Sequence, residues 1–501
     1  MPLQNCFTTV NKTAIIIGSG VGGLATACRL ASRGFRVTVV EANGYPGGKL
    51  TEISSSGFRF DAGPSLFTMP QFLDQVFEAA GKNPRDYYRY HRLEKSCHYF
   101  FEDGTYLEAW ADVQKFSLEV ETKLGLRGQE ILDYLQQSKE VYESAGHIFL
   151  ENSLHRWDTW LRADVLRALP KIPSLGLFSS MHQRNQSSFR DPRLVQLFDR
   201  YATYNGSNPY RAPGILTSIP HLEFNVGTFL PEGGMHTITQ ALYRLATDLG
   251  VTFHFNLPAD KIETSDGRAA GVRAGGKYLE ADIVVSNLDV YPTYRKLLPH
   301  LAAPEKILAQ ERSSSALIFY WGVSGTFPQL DVHNILFSAD YPREFKHLFD
   351  DHTLTDDPTV YINITSKKEP TDAPPGAENW FVMINAPANQ GQDWDKLIPA
   401  ARQHIVRKIN RLLHTDIESR IRCEQVLDPR SIEHKTGSFQ GSLYGTSSNN
   451  RMAAFLRHPN FTRKIPNLFF CGGSVHPGGG IPLCLMSAKI TSALITKQFA
   501  A

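Results

Sequence analysis

A short apolar strand, a glycine-rich turn and a helix lie near the start of this chain, and they restrict its fold more than any other feature. The strand covers residues 13–17 and the turn begins at Gly18, which would make a tight bend. Gly20 would let the backbone approach a pyrophosphate, and Gly23 would let the helix pack closely on the strand. A second strand leads to Glu41, 23 residues after Gly18, where a carboxylate can accept hydrogen bonds from a ribose diol. The pattern predicts a Rossmann-type dinucleotide site; the alternative is a glycine-rich helix entry without a ligand.

Length, charge and cysteine usage exclude several classes of protein. A chain of 501 residues is too long for one core, so we expect two or more lobes. Its 52 Lys and Arg against 50 Asp and Glu, without a long basic run, argue against nucleic acid as a partner. Six scattered cysteines without a CxxC pair predict no metal site and a reducing, cytoplasmic compartment. A polar N-terminus and the lack of a long uncharged apolar stretch predict neither an export segment nor a membrane span.

The chain alternates between two kinds of segment. Short strands and glycine turns typical of a nucleotide-binding domain occupy residues 11–75, 225–300 and 421–501. Residues 76–224 and 301–420 carry aromatic-rich helical patterns and longer strands, and we predict that they form a substrate-binding and membrane-associating lobe. Such interleaving is more typical of a flavoprotein than of a simple dehydrogenase.

Four further motifs accompany the glycine turn. They are Pro-Gly-Gly-Lys at 46–49, Phe-Asp-Ala-Gly-Pro at 60–64, Leu-Pro-Glu-Gly-Gly-Met at 230–235, and the tail Gly-Gly-Ser-Val-His-Pro-Gly-Gly-Gly-Ile-Pro at 472–482. Over almost its whole length the chain resembles the bacterial and fungal type of phytoene desaturase, a family of FAD-dependent carotenoid desaturases and isomerases. The tail is most similar to the carotenoid 3,4-desaturases, relatives of hydroxyneurosporene dehydrogenase. Two residues depart from the family pattern: Leu483 stands where many members have Gly, and Ser474 where the wider amine-oxidase clan often has an acid.

The resemblance implies a fold and a cofactor. The fold is α/β, with a Rossmann-type FAD-binding domain of the amine-oxidase and phytoene-desaturase type, an interleaved α+β substrate lobe and a helical membrane-facing region. Lys49 would lie near the pyrophosphate or flavin, unless it is a solvated cation. A helix beginning near Pro482 would direct its positive end at the flavin, although Gly472 and Gly473 also suit a plain strand-to-helix turn. The full predicted FAD-binding set is Gly18, Gly20, Gly22, Gly23, Glu41, Ala42, Gly48, Lys49, Pro64, Ser65, Ala259, Gly472, Gly473, Gly480, Ile481 and Pro482.

The implied reaction is the desaturation of a carotenoid, at the 3,4-position near one end of an acyclic, hydroxylated or monocyclic substrate. A hydride would pass to flavin N5 and a proton would leave the neighbouring carbon, with oxygen or a quinone as the possible final electron acceptor. Such a substrate needs a long apolar tunnel. We expect aromatic residues between 157 and 210 and the strand residues 318–321 to contribute to it, unless they form ordinary core.

The proton acceptor is less well defined by the sequence. His476 precedes the flavin-side helix and could titrate near neutral pH; it could instead pack against the cofactor as a loop histidine. Asp164 and Arg167 resemble a pair proposed to lie near the catalytic centre of the family, but they could equally form an i,i+3 ion pair on a helix surface.

Carotenoids reside in lipid, which predicts a peripheral, monotopic contact with a membrane surface. The stretch 157–181 combines tryptophans, leucines and basic residues in the manner of an interfacial segment, or alternatively forms a helix pair packed on the second lobe.

Three rival functions share the predicted cavity: a phytoene desaturase, a carotenoid cis-trans isomerase, and a non-catalytic FAD-bearing carotenoid carrier. An amine oxidase is a more distant alternative.

Overall fold

A computed structural model of the protein describes residues 12–168, 175–450 and 456–499. The strands within these ranges are β1 (Thr13–Ile17), β2 (Arg36–Val40), β3 (Thr51–Ser55), β4 (Phe58–Ala62), β5 (Tyr90–Arg92), β6 (Lys95–Phe100), β7 (Tyr106–Trp110), β8 (Phe229–Pro231), β9 (Thr252–His254), β10 (Ala259–Ser265), β11 (Arg268–Ala274), β12 (Lys277–Glu280), β13 (Ile283–Ser286), β14 (Ser315–Ser324), β15 (His333–Leu336), β16 (Val360–Asn363), β17 (Ala377–Ala386), β18 (Ile421–Leu427) and β19 (Leu468–Phe470).

The α-helices of the same ranges vary from single turns to five turns. They are α1 (Val21–Ala31), α2 (Pro70–Glu78), α3 (Val113–Leu124), α4 (Gln129–Val141), α5 (His147–Glu151), α6 (Trp157–Trp160), α7 (Ala163–Ala168), α8 (Met181–Ser188), α9 (Pro192–Asp199), α10 (Ile219–His221), α11 (His236–Asp248), α12 (Val290–Pro292), α13 (Glu305–Leu308), α14 (Tyr341–Phe349), α15 (Trp394–Leu413), α16 (Pro429–Thr436) and α17 (Ile481–Phe499).

A five-stranded parallel sheet forms the nucleotide-binding half, in the order β19-β13-β1-β2-β9. Its strands come from three distant parts of the chain: β1 and β2, then β9 and β13, then β19. Helix α1 contacts both α11 and α17, and the three helices share a hydrophobic core with the sheet. Because central parallel strands are covered on both faces, β1 and β13 consist almost entirely of buried apolar residues.

A seven-stranded sheet forms the second lobe, in the order β18-β14-β17-β16-β15-β6-β7. One face packs on α15 through a core that includes Phe319 and Trp321 of β14. Side chains alternate along a strand, so Ile318 and Tyr320 lie on the opposite face, against the β3-β4 hairpin. The sequence boundary at residue 420 falls before β18, which pairs with β14 and so joins this sheet rather than the nucleotide-binding half. Partly buried and exposed residues alternate along β18, as is typical of an edge strand. Such a pattern does not reveal with which strand β18 pairs.

Helices α3, α4, α8, α9 and α14 pack around a second core, which is rich in aromatic side chains. Part of the stretch 157–181, residues 169–174, lies outside the described residues.

Among the described helices, no segment combines the length and apolar character needed to span a bilayer. The described residues also contain no cluster of three or more metal-ligating side chains.

Candidate active site

A cavity of about 1300 Å³ extends between the parallel sheet and the seven-stranded sheet. Small-molecule sites usually measure about 300–1,000 Å³, so this cavity has room for a large cofactor together with part of a second ligand. All predicted FAD-binding residues except Gly23 line it; they are Gly18, Gly20, Gly22, Glu41, Ala42, Gly48, Lys49, Pro64, Ser65, Ala259, Gly472, Gly473, Gly480, Ile481 and Pro482. A Cβ on Gly23 would lie 2.1 Å from the carbonyl oxygen of Gly18, so Gly23 lies at the contact between helix and strand.

Asn287 connects the glycine turn to the C-terminal tail, a role that the sequence analysis missed. Its backbone N–H donates to Ile17 O at 2.9 Å, and its side chain lines the cavity. A Cβ on Gly20 would lie 2.9 Å from Asn287 Nδ2, and one on Gly22 would lie 2.8 Å from Asn287 Oδ1. The glycines are therefore needed for close approach to Asn287 as well as to a pyrophosphate. The available signal was a polar residue at the carboxyl end of a buried parallel strand.

Glu41 follows β2 and is buried at the edge of the cavity. Its Oε2 accepts hydrogen bonds from the backbone N–H and hydroxyl of Ser19, at 2.8 and 2.7 Å. Its Oε1 accepts from the backbone and side chain of Asn43, at 2.9 and 3.0 Å. The carboxylate therefore stabilises the glycine turn itself. A ribose diol bound to Glu41 would donate to carboxylate oxygens that already accept hydrogen bonds from Ser19 and Asn43.

Lys49 is a partly buried, hydrogen-bonded cation and not the solvated one that the sequence left open. Its ammonium donates to the carbonyl oxygens of Ser442 and Leu443, at 2.9 and 2.8 Å. Burial lowers the pKa of Lys49 to about 8, although nearby Asp289 raises it. The side chain thus joins the glycine turn after β2 to a loop of the C-terminal segment, and it presents positive charge beside the cavity.

The tail forms a turn between β19 and α17. Gly472 has a φ of 97° and its N–H donates to Ser487 Oγ of α17 at 3.2 Å. Helix α17 begins at Ile481, with Pro482 in its first turn, and this end lines the cavity. The free N–H groups and positive dipole end of α17 therefore face the cavity, as an anionic ligand requires. Close-approach glycines, a partly buried cation and a helix N-terminus together fit a dinucleotide cofactor.

His476 is buried beside the cavity but is not among the residues that line it. Its Nε2 donates to the carbonyl oxygen of Asn152 at 2.8 Å, just after α5. Burial lowers the pKa of the ring to about 3, so the ring is neutral near pH 7. This geometry favours a positioning role, in which His476 ties the flavin-side tail to the second lobe. A catalytic role for His476 stays a prediction.

The other two catalytic candidates lie on the short helix α7. Arg167 is exposed and does not line the cavity. The side chain of Asp164 lies outside what the structure describes, so the proposed pair stays a prediction.

The residues that line the apolar part of the cavity differ from the aromatic ones that the sequence predicted. Of the four strand residues 318–321, Ile318 lines the cavity, whereas Phe319 and Trp321 belong to the core on the other face of the sheet. Of the aromatic residues that the sequence singled out between 157 and 210, Tyr204 lines the cavity, while Trp157 and Phe178 are exposed. The apolar wall comes instead mainly from aliphatic residues that include Leu150, Leu177, Leu216, Ile219, Leu222 and Ile335, together with the aromatic side chains of Tyr142, Phe149 and Tyr361.

Comparisons with known proteins agree with this geometry. Residues 21–496 match the family described as flavin containing amine oxidoreductase. The chain is 52% identical over 484 residues to a 1-hydroxycarotenoid 3,4-desaturase of Flavobacterium sp., covering 97% of this chain and 99% of the relative. It is 36% identical to a 4,4'-diapolycopene oxygenase of Methylomonas sp., covering 96% and 97% of the two chains. The structure of cyclohexylamine oxidase from Brevibacterium oxydans aligns with a TM-score of 0.62 at 13% identity, covering 98% of this chain and all of that one.

The fold and cavity are those of an FAD-dependent oxidoreductase. The chain belongs to the flavin containing amine oxidoreductase family, in its branch of carotenoid desaturases, and its cofactor is FAD. The predictions of the family, the enzyme class and the cofactor are thereby confirmed. The roles of individual residues stay predictions.

Proposed function

We propose that this enzyme introduces a double bond at the 3,4-position, near one end of a carotenoid. The observation that carries the proposal is the continuous cavity that joins the FAD-binding residues to a wall of aliphatic side chains in the second lobe. The name of the relative at 52% identity, a 1-hydroxycarotenoid 3,4-desaturase, supports this substrate and position.

The reaction removes two hydrogens from adjacent carbons, one as a hydride and one as a proton. Bound FAD would supply the oxidant, taking up the hydride with its two electrons. The protein's part is to hold an apolar substrate in one orientation and to exclude water, and the aliphatic wall provides both. Lys49 and the start of α17 stabilise the negative charge that accumulates beside them. The polyene delocalises the positive charge that hydride loss creates, so the site needs no strong anionic group.

The second part of the proposal is peripheral membrane contact. Trp157, Leu161 and Phe178 expose 75%, 65% and 73% of their surfaces and accompany basic residues on the same stretch. Phe178 directly follows Leu177, which lines the cavity. A lipid surface in contact with this stretch could therefore deliver a carotenoid to the cavity without a spanning helix.

Oxygen or a quinone, which is itself soluble in lipid, would then reoxidise the cofactor. The membrane surface that we propose is the cytoplasmic one.

The test is anaerobic incubation of FAD-loaded protein with liposomes that contain acyclic, hydroxylated or monocyclic carotenoids. Bleaching of the flavin with loss of two hydrogens per new double bond is the expected result. An unchanged mass with altered retention would indicate an isomerase, and no change in pigment or flavin would indicate a carrier.

A repeat in air separates desaturation from oxygenation, because a relative at 36% identity is named an oxygenase. Incorporation of labelled oxygen into the pigment would contradict the proposal. Its absence, with the same loss of hydrogens, would support it.

A further inference from the structure

Four polar atoms on the substrate side of the cavity have no hydrogen-bond partner within the described ranges. All four belong to buried side chains of the second lobe: on β6, just after α9, on β15 and at the start of α14. They are Ser96 Oγ, Arg200 Nε, His333 Nε2 and Tyr341 OH. A buried polar atom without a partner lowers stability, so several of them on one cavity wall indicate a ligand with a complementary polar atom.

Arg200 is the charged member of this group. Its Nη2 donates to Tyr99 OH at 2.8 Å and lies 3.6 Å from Glu223 Oε1, while its guanidinium stacks over the ring of Tyr201. Burial lowers the pKa of His333 to about 4; the charge of nearby Asp331 raises it and that of Arg200 lowers it. His333 is therefore neutral near pH 7, and it is close enough to Arg200 to sense the guanidinium charge.

The partners of His333 determine which ring nitrogen carries the proton. Asn363 Nδ2 donates one N–H to Val332 O at 2.9 Å and the other to His333 Nδ1 at 3.2 Å. Tyr361 OH also lies 2.7 Å from Nδ1, and because the amide nitrogen of Asn363 can only donate, we assign the tautomer in which Nδ1 accepts and Nε2 carries the proton. The cavity-lining atom of His333 is thus a hydrogen-bond donor.

We propose that His333 and Arg200, with Ser96 and Tyr341, bind a hydroxyl group at the end of the carotenoid substrate. The inference rests on the proposed function and deepens it. A hydrocarbon polyene offers no polar atom and would leave the buried polar atoms in its tunnel unpaired, whereas an oxygenated end can pair with them. A hydroxyl oxygen can accept from His333 Nε2 while its own proton is donated to the hydroxyl oxygen of Ser96 or Tyr341.

The subsite also lies close to the predicted cofactor-binding residues. Ser65, one of that set, has its Oγ 2.9 Å from Tyr361 OH, which in turn is 2.7 Å from His333 Nδ1. In a 1-hydroxy end group the hydroxyl-bearing carbon is separated from the reacting 3,4-bond by a single carbon. A hydroxyl bound at His333 would therefore hold that bond near the cofactor and select the end that is desaturated.

The test compares two acyclic polyenes that differ only in a tertiary hydroxyl at C1. The wild-type protein should prefer the hydroxylated polyene by at least about tenfold in kcat/KM, because a site built to hydrogen-bond a hydroxyl rejects the analogue that lacks it. His333→Leu should lower this preference to within about twofold of unity, since the donor is lost while the apolar contacts stay intact. His333→Gln, which keeps an N–H donor, should restore part of the preference.

His98→Leu is the matched control. His98 is a buried histidine on β6, paired with Asn334 of β15, and it does not line the cavity. This variant should keep the wild-type preference. The inference is overturned if His333→Leu keeps it too, or if the wild-type protein does not distinguish the two polyenes.

A binding measurement distinguishes an incorrect assignment of the hydroxyl subsite from an incorrect assignment of the reaction. If the wild-type protein converts neither polyene, quenching of tryptophan fluorescence by each polyene still measures binding. Tighter binding of the hydroxylated polyene that is lost in His333→Leu would support the subsite, and equal binding would overturn it. If His333→Leu does not load FAD, Ser96→Ala and Tyr341→Phe replace it, and an unchanged preference in both overturns the inference.

Discussion

The side-chain nitrogen of Asn287 lies 3.4 Å from the carbonyl oxygen of Gly18, although 269 residues separate the two positions. The other side of the same amide faces the tail, where a Cβ on Gly472 would lie 2.6 Å from Asn287 Oδ1. One side chain thus contacts both glycine segments that line the cofactor end of the cavity. The dinucleotide site is therefore assembled from three parts of the chain at once.

Gly472→Ala should weaken FAD binding strongly. Gly472 has a φ of 97°, and its new Cβ would collide with Asn287. Strain and crowding of about 2–3 kcal/mol correspond to at least about a tenfold loss of affinity. The ratio of flavin to protein absorbance after purification, and titration with FAD, would measure the loss.

Gly81→Ala is the control for backbone strain alone. Gly81 has a φ of 69°, and no atom of the described residues lies within 4 Å of the position that its new Cβ would take. We expect a loss of stability of about 1 kcal/mol with normal FAD content. Equal FAD loss in both variants would show that crowding at Asn287 is not the cause.

Glu41→Gln should also reduce FAD affinity, by roughly tenfold to a hundredfold, because hydrogen bonds to a charged acceptor contribute about 1.5–3 kcal/mol. An amide in place of the carboxylate can no longer accept from both Ser19 and Asn43. Quenching of flavin fluorescence during titration of FAD-free protein measures the affinity.

Glu263→Gln removes the same charge from an exposed ion pair with Lys261 that does not line the cavity. Its FAD affinity should equal that of the wild-type protein. If Glu41→Gln binds FAD as tightly as this control, Glu41 does not contribute to the ribose site.

His476→Asn should make the protein less sensitive to acid. Burial lowers the ring pKa from 6.5 to about 3, so between these values the unfolded chain binds more protons than the folded one. Stability should then fall with decreasing pH by about 1.4 kcal/mol per unit below the unfolded pKa. Between pH 7 and pH 5, urea unfolding should show a loss about 2 kcal/mol larger in the wild-type protein than in His476→Asn.

The same variant separates positioning from proton transfer. An asparagine keeps an N–H donor for the carbonyl oxygen of Asn152, so a positioning role predicts a kcat within about tenfold of wild type. A fall of about a hundredfold or more, with normal FAD content, would instead support His476 as the proton acceptor.

Replacement of Trp157 and Phe178 by serine should reduce binding to liposomes. Both side chains expose most of their apolar surface. Transfer of such a side chain from water to an apolar environment contributes about 1.5–3 kcal/mol of favourable free energy. Sedimentation with liposomes should show at least about a tenfold weaker partition. Leu118→Ser, on α3, alters a 61% exposed residue outside the stretch and should partition normally. Equal partition of all three proteins would contradict the membrane proposal.

Several parts of the site could be predicted because their signals are local. Gly18 and Gly20 follow an apolar strand and precede a helix, and these residues alone specify a turn that exposes N–H groups. Pro482 marks the first turn of α17, because proline lacks the N–H that this position leaves unpaired. The paired glycines at 472 and 473 likewise predicted a turn at the edge of the cavity.

Other parts could not be predicted, because they depend on neighbours distant in the chain. Ile318 and Phe319 are both apolar strand residues, and only the packing of the sheet decides which of them faces the cavity. His476 has the composition of a titrating loop residue, but its burial against the segment after α5 suppresses its charge. His333 belongs to no motif, and the importance of its Nε2 atom is recognised only from the cavity around it.

The sequence by itself determined the dinucleotide turn, the start of the last helix, the interleaving of the two lobes and the family to which the chain belongs. The turn and the helix start follow from backbone preferences over a few residues, whereas the family follows from the resemblance of several motifs spread over the chain. The tertiary structure alone decided that Asn287 joins the two glycine segments, that Lys49 is hydrogen-bonded to the carbonyl oxygens of Ser442 and Leu443, and that Ser96, Arg200, His333 and Tyr341 line one cavity. Burial and the geometry of hydrogen bonds between distant segments arise only when the chain is folded, so no local pattern encodes them.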